Sequence, residues 1–267
     1  MVRQLFWASR RDLTICAITL LGIALCLWID SFHDLELQKA LGRCAWTVLI
    51  GLLLFEKPLV RVQVAIAVLF ATAGEHFASL YMGGYIYQFH NVPAYVPPGH
   101  GMVYLTAVAL ARSPLFQHYA GPILWIVLLL MGGWSLWGVT VAERGDQVGA
   151  LLFLFYLPFV FWGRAPLVYL GAFFMTTYLE LIGTSLGTWR WVEIDPLLGL
   201  SQGNPPSGVA AWYCLVDMVA LGGAQLLERG WHRLRHHRSR GHPPAVSHRR
   251  LHRPLSRKRR REARGIS

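Results

Sequence analysis

Charged residues are scarce in this sequence of 267 amino acids, since 15% are Asp, Glu, Lys or Arg and 54% are hydrophobic. An ordinary soluble domain carries about a quarter charged residues. The deficit excludes a typical soluble domain of this size. Apolar runs also recur along the chain at close to the roughly 20 residues that a helix needs to cross a bilayer. We therefore predict an integral membrane protein.

Recognised catalytic and metal-binding patterns are missing as well. The sequence contains no H-E-x-x-H pair, no G-x-S-x-G nucleophile elbow and no glycine-rich phosphate loop. A zinc protease or a serine hydrolase therefore has little support. Its four cysteines form no C-x-x-C pair, and we interpret them as small packing residues. We predict neither a bound metal nor a cofactor.

The net charge of +11 is concentrated at the C-terminal end. Residues 229–267 hold fourteen Arg and Lys against one acid, whereas residues 1–228 carry a slight excess of acids. Because this segment has almost no large apolar residues, we predict a helical transmembrane domain over 1–228 and a basic, disordered cytoplasmic tail over 229–267. Such a tail binds anionic lipid headgroups at about 1 kcal/mol per base. It lacks interleaved aromatics, so no specific nucleic acid is expected.

The predicted fold class is all-α, a polytopic membrane helix bundle in the cell membrane with about eight spans. Lys and Arg alternate between the connections in a way that favours both termini in the cytoplasm. The loop 83–99 has neither residue type, and the loop 188–207 has one arginine against two acids. The predicted spans are roughly 13–29, 41–55, 59–82, 101–112, 121–142, 147–163, 165–186 and 208–227.

One stretch, Gly74–Leu110, has an echo about a hundred residues later. Each copy places a glutamate late in an apolar run, then an aromatic-x-aromatic pair, then Pro-Pro and Gly before the next run. The two copies lie four spans apart, so they point the same way and both loops emerge on the non-cytoplasmic side. This pattern favours a parallel internal repeat, which membrane proteins use to build a central site.

Ionisable residues inside the predicted spans are the candidate catalytic groups, because burying them in a membrane is costly. Glu75, Glu180 and Asp217 are such acids, and His100 follows the prolines that open a span. A carboxyl that is buried can serve as a general acid, so Glu75 or Glu180 would donate a proton. His100 or Asp217 would then orient water or stabilise a cation. Alternatively, each acid only pairs with a Tyr, Ser or Thr on another helix.

Candidate substrate-binding residues surround these acids. His76 adjoins Glu75, but neighbours on a helix point about 100° apart, so both cannot face one point squarely. The aromatic pairs either form an interfacial belt, the usual role, or stack on an apolar chain. The substrate-binding candidates are His76, Tyr85, Tyr87, Trp189, Trp191 and Asn204.

An intramembrane Glu, a Gly-x-aromatic-x-aromatic pattern and a proline-rich loop together resemble the multi-span carotenoid-biosynthesis proteins of bacteria and archaea, which include carotenoid hydratases. The matching segments are Glu75 to Gly101, and Glu180 to Trp191 with the loop that follows. The resemblance implies water addition to a terminal double bond of a long isoprenoid, without a redox cofactor.

Three functions are compatible with these residues. The first is a membrane enzyme of the lyase or hydratase type, acting on an apolar lipid or isoprenoid. The second is a proton-coupled transporter of a lipid or small molecule, in which the same acids carry the proton. The third is a structural or partner-binding membrane protein.

Overall fold

The computed structural model describes residues 10–240, with side chains to residue 231. Residues up to Leu227 form one compact unit, and a second unit begins at Glu228. The main chain of that second unit is helical to Arg240, and the rest of the predicted basic tail lies outside the described residues. The elements are α1 (Arg10–Asp30), α2 (Leu35–Leu53), α3 (Pro58–Glu75), β1 (Tyr85–Tyr87), α4 (Val96–Arg112), α5 (Pro114–His118), α6 (Ala120–Thr140), α7 (Gln147–Trp162), α8 (Pro166–Leu186), β2 (Trp189–Trp191) and α9 (Ala210–Arg240).

The prediction of a membrane helix bundle is confirmed in its coarse form. Each predicted apolar run corresponds to a helix, and five helices are long and apolar enough to cross a membrane. These five support a multi-pass protein, whereas the count of eight spans stays a prediction. The five are Arg10–Asp30, Pro58–Tyr81, Ala120–Thr140, Pro166–Leu186 and Ala210–Trp231.

Local sequence signals explain where several helices begin and end. Pro58 and Pro166 occupy first-turn positions, where the missing N–H of proline costs nothing. The Asp34 side chain caps α2 by accepting from the main-chain N–H groups of Glu36 and Leu37 at 2.9 and 3.1 Å. Gly187 ends α8 in the left-handed conformation that glycine tolerates best.

Helix α4 is the centre of the bundle and packs against α1, α2, α3 and α8. Most of its residues are buried, including consecutive positions from His100 to Ala107, so no face of the helix is exposed over that stretch. Its crossing with α8 is close, because a Cβ added at Gly171 would lie 3.0 Å from the Cα of Ala107. This central helix carries one of the predicted site residues into the core.

A two-stranded antiparallel sheet joins the two stretches that echo each other in sequence. Tyr85 pairs with Trp191, Ile86 with Arg190, and Tyr87 with Trp189. Each strand buries its outer two aromatics and exposes its middle residue, because side chains alternate along a strand. The prediction of an all-α fold did not include this sheet.

An ion-pair cluster lies at the other end of α4. Arg112 contacts the carboxylate of Glu56 at 2.9 and 3.2 Å and lies 3.2 Å from Asp12. Arg11 approaches the same Glu56 at 3.5 Å, and the Glu56 side chain is fully buried. The cluster ties the start of α1 and the α2–α3 connection to the end of α4.

Candidate active site

Glu75 ends α3 and accepts three hydrogen bonds from side chains that lie later in the chain. Its Oε2 accepts from the hydroxyls of Tyr85 and Tyr87 at 2.5 and 2.7 Å. Its Oε1 lies 2.8 Å from Nε2 of His100. Both tyrosines reach one carboxylate because they are alternate residues on the same face of β1. Three donors of this kind stabilise the ionised carboxylate.

His100 enters the site from the first turns of α4, behind Pro97 and Pro98. Its side chain is 8% exposed, and its ring stacks on that of Tyr213 from α9 with centroids 5.0 Å apart. Because Nε2 faces a carboxylate, that nitrogen carries the proton. The other ring nitrogen, Nδ1, is buried and has no hydrogen-bond partner among the described residues.

Glu180, late in α8, is held in a comparable way by different donors. Its Oε2 accepts from the indole N–H groups of Trp189 and Trp191 at 2.9 and 3.1 Å. Glu180 is buried, and Gly183 one turn later leaves the space that the Trp189 ring fills. A side chain at that glycine would overlap the indole.

The sheet brings the two carboxylates to one aromatic layer, because the four aromatic side chains that donate to them share one face of the sheet. The rings of Tyr85 and Trp191 lie 4.6 Å apart, and those of Tyr87 and Trp189 lie 6.0 Å apart. Burial raises the pKa of the Tyr85 phenol well above its ordinary value, and the negative charge of Glu75 adds to it. Glu180 contributes in the same direction, so both carboxylates act on this hydroxyl. The phenols are therefore neutral donors at physiological pH.

Asp30 anchors the loop that follows β1, a role that sequence reasoning missed. Its carboxylate accepts from Gln38, Gln88 and Tyr95 at 2.9, 2.8 and 2.9 Å. Burial raises the pKa of the Tyr95 phenol, and the charge of Asp30 raises it further. An acid that lies at a helix end, as Asp30 does, resembles a simple cap in sequence, so no local signal identifies the distant partners.

Asp146 anchors the loop that follows β2. It caps α7 through the N–H of Gly149 at 3.0 Å and accepts from the N–H groups of Gly203 and Ser207 at 2.7 Å each. Next to it, Arg144 donates to the main-chain oxygens of Trp191, Val192 and Gln202. Burial lowers the pKa of that guanidinium. These two residues hold the β2 loop, and sequence reasoning missed both.

Asn204 and His76 take structural positions beside the site. The Asn204 side chain accepts from the main-chain N–H of Trp191 at 2.9 Å and lines a cavity of about 570 Å³ together with Trp134 and Arg144. His76 lies on the exposed side of the helix, with Nδ1 2.8 Å from the carbonyl oxygen of Thr72. The structure therefore does not bring His76 into contact with the Glu75 cluster.

Asp217 lies on α9, one turn after Tyr213, and it is almost completely buried. It touches neither glutamate, and its Oδ2 has no hydrogen-bond partner among the described residues. Of the four predicted catalytic residues, the structure thus brings Glu75 and His100 into direct contact. Glu180 contacts the tryptophans of the same aromatic layer, and Asp217 lies one helical turn after Tyr213, whose ring stacks on His100.

Among the side chains that the structure describes, residues 10–231, no group of three or more His, Cys, Asp or Glu is arranged to hold a metal ion. The arrangement instead provides proton donors, acceptors and aromatic faces inside an apolar bundle. No protein-family model, curated protein or solved structure matches this chain.

Proposed function

We propose that this chain is an integral membrane enzyme that acts on an apolar lipid or isoprenoid by acid–base chemistry, with Glu75 and His100 as its proton-transfer pair. The observation that carries the proposal is the 2.8 Å contact between Glu75 and His100, deep in an apolar bundle. Histidine exchanges protons near neutral pH, and a neighbouring carboxylate stabilises the charged ring. Such a pair can protonate a weakly basic substrate and recover the proton afterwards.

The two glutamates have different roles in this proposal. Trp189 and Trp191 present indole N–H groups, which donate hydrogen bonds but do not release protons at physiological pH. Both donors stabilise the ionised form of Glu180, and in this proposal that carboxylate supplies negative charge. A carboxylate and aromatic faces together stabilise a positively charged intermediate.

A hydratase reaction fits these roles. The His100–Glu75 pair gives a proton to one carbon of a terminal double bond, which leaves a carbocation on the neighbouring carbon. The oxygen of a water molecule then bonds to that carbon, and the proton that water loses returns to the pair. The net reaction adds one water molecule across one double bond, and the protein is neither oxidised nor reduced. This reaction is the one that the carotenoid-biosynthesis resemblance implies.

The geometry of the two glutamates supports the internal repeat. A glycine with positive φ precedes each aromatic pair by two residues: Gly83 at 72° and Gly187 at 74°. Glu75 lies 10 and 12 residues before its two tyrosines, and Glu180 lies 9 and 11 residues before its tryptophans. The extra residue of the first copy coincides with a π-helical turn over His76–Tyr81, which is how a helix accommodates an insertion.

The loop anchors support the same repeat. Asp30 is the last residue of the first helix in the first half, and Asp146 directly precedes the second helix of the second half. Each accepts from the loop that follows the strand of its own half. The main-chain hydrogen bonds at the two ends of the sheet are symmetric as well. The N–H of Gln88 donates to the carbonyl oxygen of Thr188, and the N–H of Val192 donates to that of Gly84, both at 3.1 Å. In this proposal each half contributes four helices and one strand.

The proposed orientation places the paired strands on the extracytoplasmic side of the cell membrane and both termini in the cytoplasm. It is supported by the loops 83–99 and 188–207, which carry one Arg and no Lys between them. The basic segment from residue 229 onward would then meet anionic headgroups of the inner leaflet.

A proton-coupled lipid transporter is the second candidate. It is favoured by Asp217, an acid buried within a membrane-length helix and without an ion-pair partner among the described residues. The two candidates differ in whether the lipid is altered or only moved.

The experiment that tests the enzyme is mass spectrometry of lipid extracts from cells that express the wild type, E75Q, H100Q or E193Q. Gln in place of Glu75 keeps the acceptor oxygen but removes the titratable group, so we expect at least about a hundredfold loss of product. Glu193 is exposed in the β2 loop, and E193Q serves as the control with unchanged product. Membrane-inserted protein is measured in parallel. An unchanged lipid profile for E75Q would refute the proposal, and gradient-dependent lipid movement in vesicles would favour the transporter.

A further inference from the structure

Three buried polar atoms that have no hydrogen-bond partner within the described part of the chain lie on two consecutive turns of α4 and α9. They are Nδ1 of His100, the hydroxyl of Tyr104 and Oδ2 of Asp217. Tyr104 is 1% exposed and Asp217 is 2% exposed. Buried polar groups in proteins are nearly always satisfied, by protein or by ordered water. Three orphans in one place therefore indicate a ligand with hydrogen-bonding groups.

Helices α4 and α9 run side by side in the same direction. The residue before α9, Val209, belongs to the same apolar cluster as Val96 at the start of α4, and Ala220 further along α9 belongs to the same cluster as Ala109 near the end of α4. The rings of His100 and Tyr213 stack at this shared beginning.

The next turn of each helix carries the other two orphans. Tyr104 and Asp217 each follow the stacked pair by four residues, which is one turn on an α-helix. Because His100 stacks on Tyr213, the turns that carry Tyr104 and Asp217 are neighbours, one turn further along from the Glu75–His100 pair.

Beyond these turns the two helices contribute apolar side chains, since Val108, Ala109 and Ala220 belong to one apolar cluster. The region therefore has polar atoms on the side of the active site and apolar side chains on the side of the ion-pair cluster at Arg112.

We propose that this region is an internal water-binding site, in which ordered water bridges the Tyr104 hydroxyl, the Asp217 carboxyl and the free nitrogen of His100. A buried water typically makes about three hydrogen bonds to polar groups that would otherwise lack partners. Through it, Asp217 exchanges protons with the nitrogen of His100 that Glu75 does not occupy. Its use as a proton store depends on the proposed acid–base function, but its existence does not.

X-ray radiolytic footprinting read by mass spectrometry tests the site, because radicals form from bound water and oxidise the side chains beside it. Tyr156 is the matched control: it is 0% exposed, but its hydroxyl donates to the carbonyl oxygen of Tyr169 at 3.2 Å. In purified wild-type protein we expect Tyr104 to be oxidised several-fold faster than Tyr156. Equal, slow oxidation of both tyrosines would overturn the proposal.

Two variants of Asp217 sharpen the result. D217N keeps polar atoms that hold water, so Tyr104 stays reactive, whereas D217L removes them and Tyr104 falls to the rate of Tyr156. Reactivity that persists in D217L would overturn the assignment of Asp217. If D217L fails to fold, the wild-type comparison decides alone. The measurement uses no substrate, so its outcome is separate from the lipid profiles that test the enzyme.

Discussion

At the level of single residues, the two glutamates of the site accept hydrogen bonds from different aromatic side chains, tyrosines for Glu75 and tryptophans for Glu180. In α8 the residue three positions after Glu180 is Gly183, and its missing side chain admits the Trp189 indole. In the first half the residue three positions after Glu75 is Ala78, and the rings that donate to Glu75 are the smaller phenols.

We expect G183A to destabilise the protein, because the added methyl group would occupy space that the Trp189 ring fills. Overpacking of a core typically costs about 1–3 kcal/mol. The matched control is G74A, since Gly74 is a helical glycine beside Glu75 with open space around it. That variant should gain about 0.5–1 kcal/mol from helix propensity. Thermal unfolding of both proteins in one detergent measures the difference, and equal midpoints would contradict the packing argument.

The buried phenols predict a loss of stability at alkaline pH. Burial and then the charge of Glu75 raise the pKa of Tyr85 and of Tyr87 well above 10.0, whereas in the unfolded chain they ionise at that value. A raised pKa stabilises the fold fully below pH 10, and the contribution is lost as pH rises beyond it. The slope is about 1.4 kcal/mol per pH unit for each tyrosine.

To check this, unfolding midpoints of the wild type and of the double variant Y85F/Y87F are measured between about pH 8 and pH 11. This range extends from about two units below to about one unit above the ordinary pKa of tyrosine. The double variant should start less stable, because Glu75 loses two donors. Its midpoint should then fall less steeply above about pH 10. Parallel curves for the two proteins would show that these phenols do not cause the alkaline loss.

At the level of elements, the π-helical turn over His76–Tyr81 sets the position of the first glutamate relative to its strand. A π-helical turn holds one residue more than a regular α-helical turn, and such turns recur at functional sites. The corresponding end of α8 is regular and stops at Gly187. Under the proposed repeat, the first half therefore has one residue more than the second half at this point.

We expect the chain to tolerate deletion of Leu80 better than deletion of Ser185. Both residues are exposed, and each lies in the last turns before a strand. Without Leu80, the π-helical turn can become regular helix, and the spacing from Glu75 to its tyrosines becomes the same as that from Glu180 to its tryptophans. Without Ser185, the regular end of α8 must unwind or rotate. Yield and unfolding midpoint after detergent extraction measure the two losses, and equal losses would argue against the insertion.

The sequence predicted the helices well and the sheet not at all, for a physical reason. Apolar runs such as Pro166–Leu186 are long and continuous, so their composition alone identifies them. Each strand has three residues, and its hydrogen bonds go to a partner about a hundred positions away, which leaves no local signal. The alternation Tyr85-Ile86-Tyr87 is visible in the sequence, and it is the reason that the aromatic pairs are predicted as site residues. The anchors Asp30 and Asp146 could not be found because their partners are also distant.

At the level of the whole molecule, α4 connects two polar regions of opposite character. His100 near its start belongs to the aromatic surroundings of the two glutamates, and Arg112 at its end belongs to the ion-pair cluster with Glu56. The apolar turn around Val108 separates them. Proton exchange at the site is therefore expected from the sheet side alone.

The paired strands fix which loops share a side of the membrane, because β1 and β2 cannot hydrogen-bond across a bilayer. Ile86 and Arg190 are opposite each other and both exposed, whereas Lys57 is exposed beside the ion-pair cluster at the other end. In a background without the native cysteines, we expect I86C and R190C to react with a membrane-impermeant maleimide in intact cells. K57C should react after the cells are opened. Labelling of I86C without R190C would contradict the pairing itself, and labelling of K57C alone in intact cells would keep the pairing but reverse the orientation, placing the site on the cytoplasmic side.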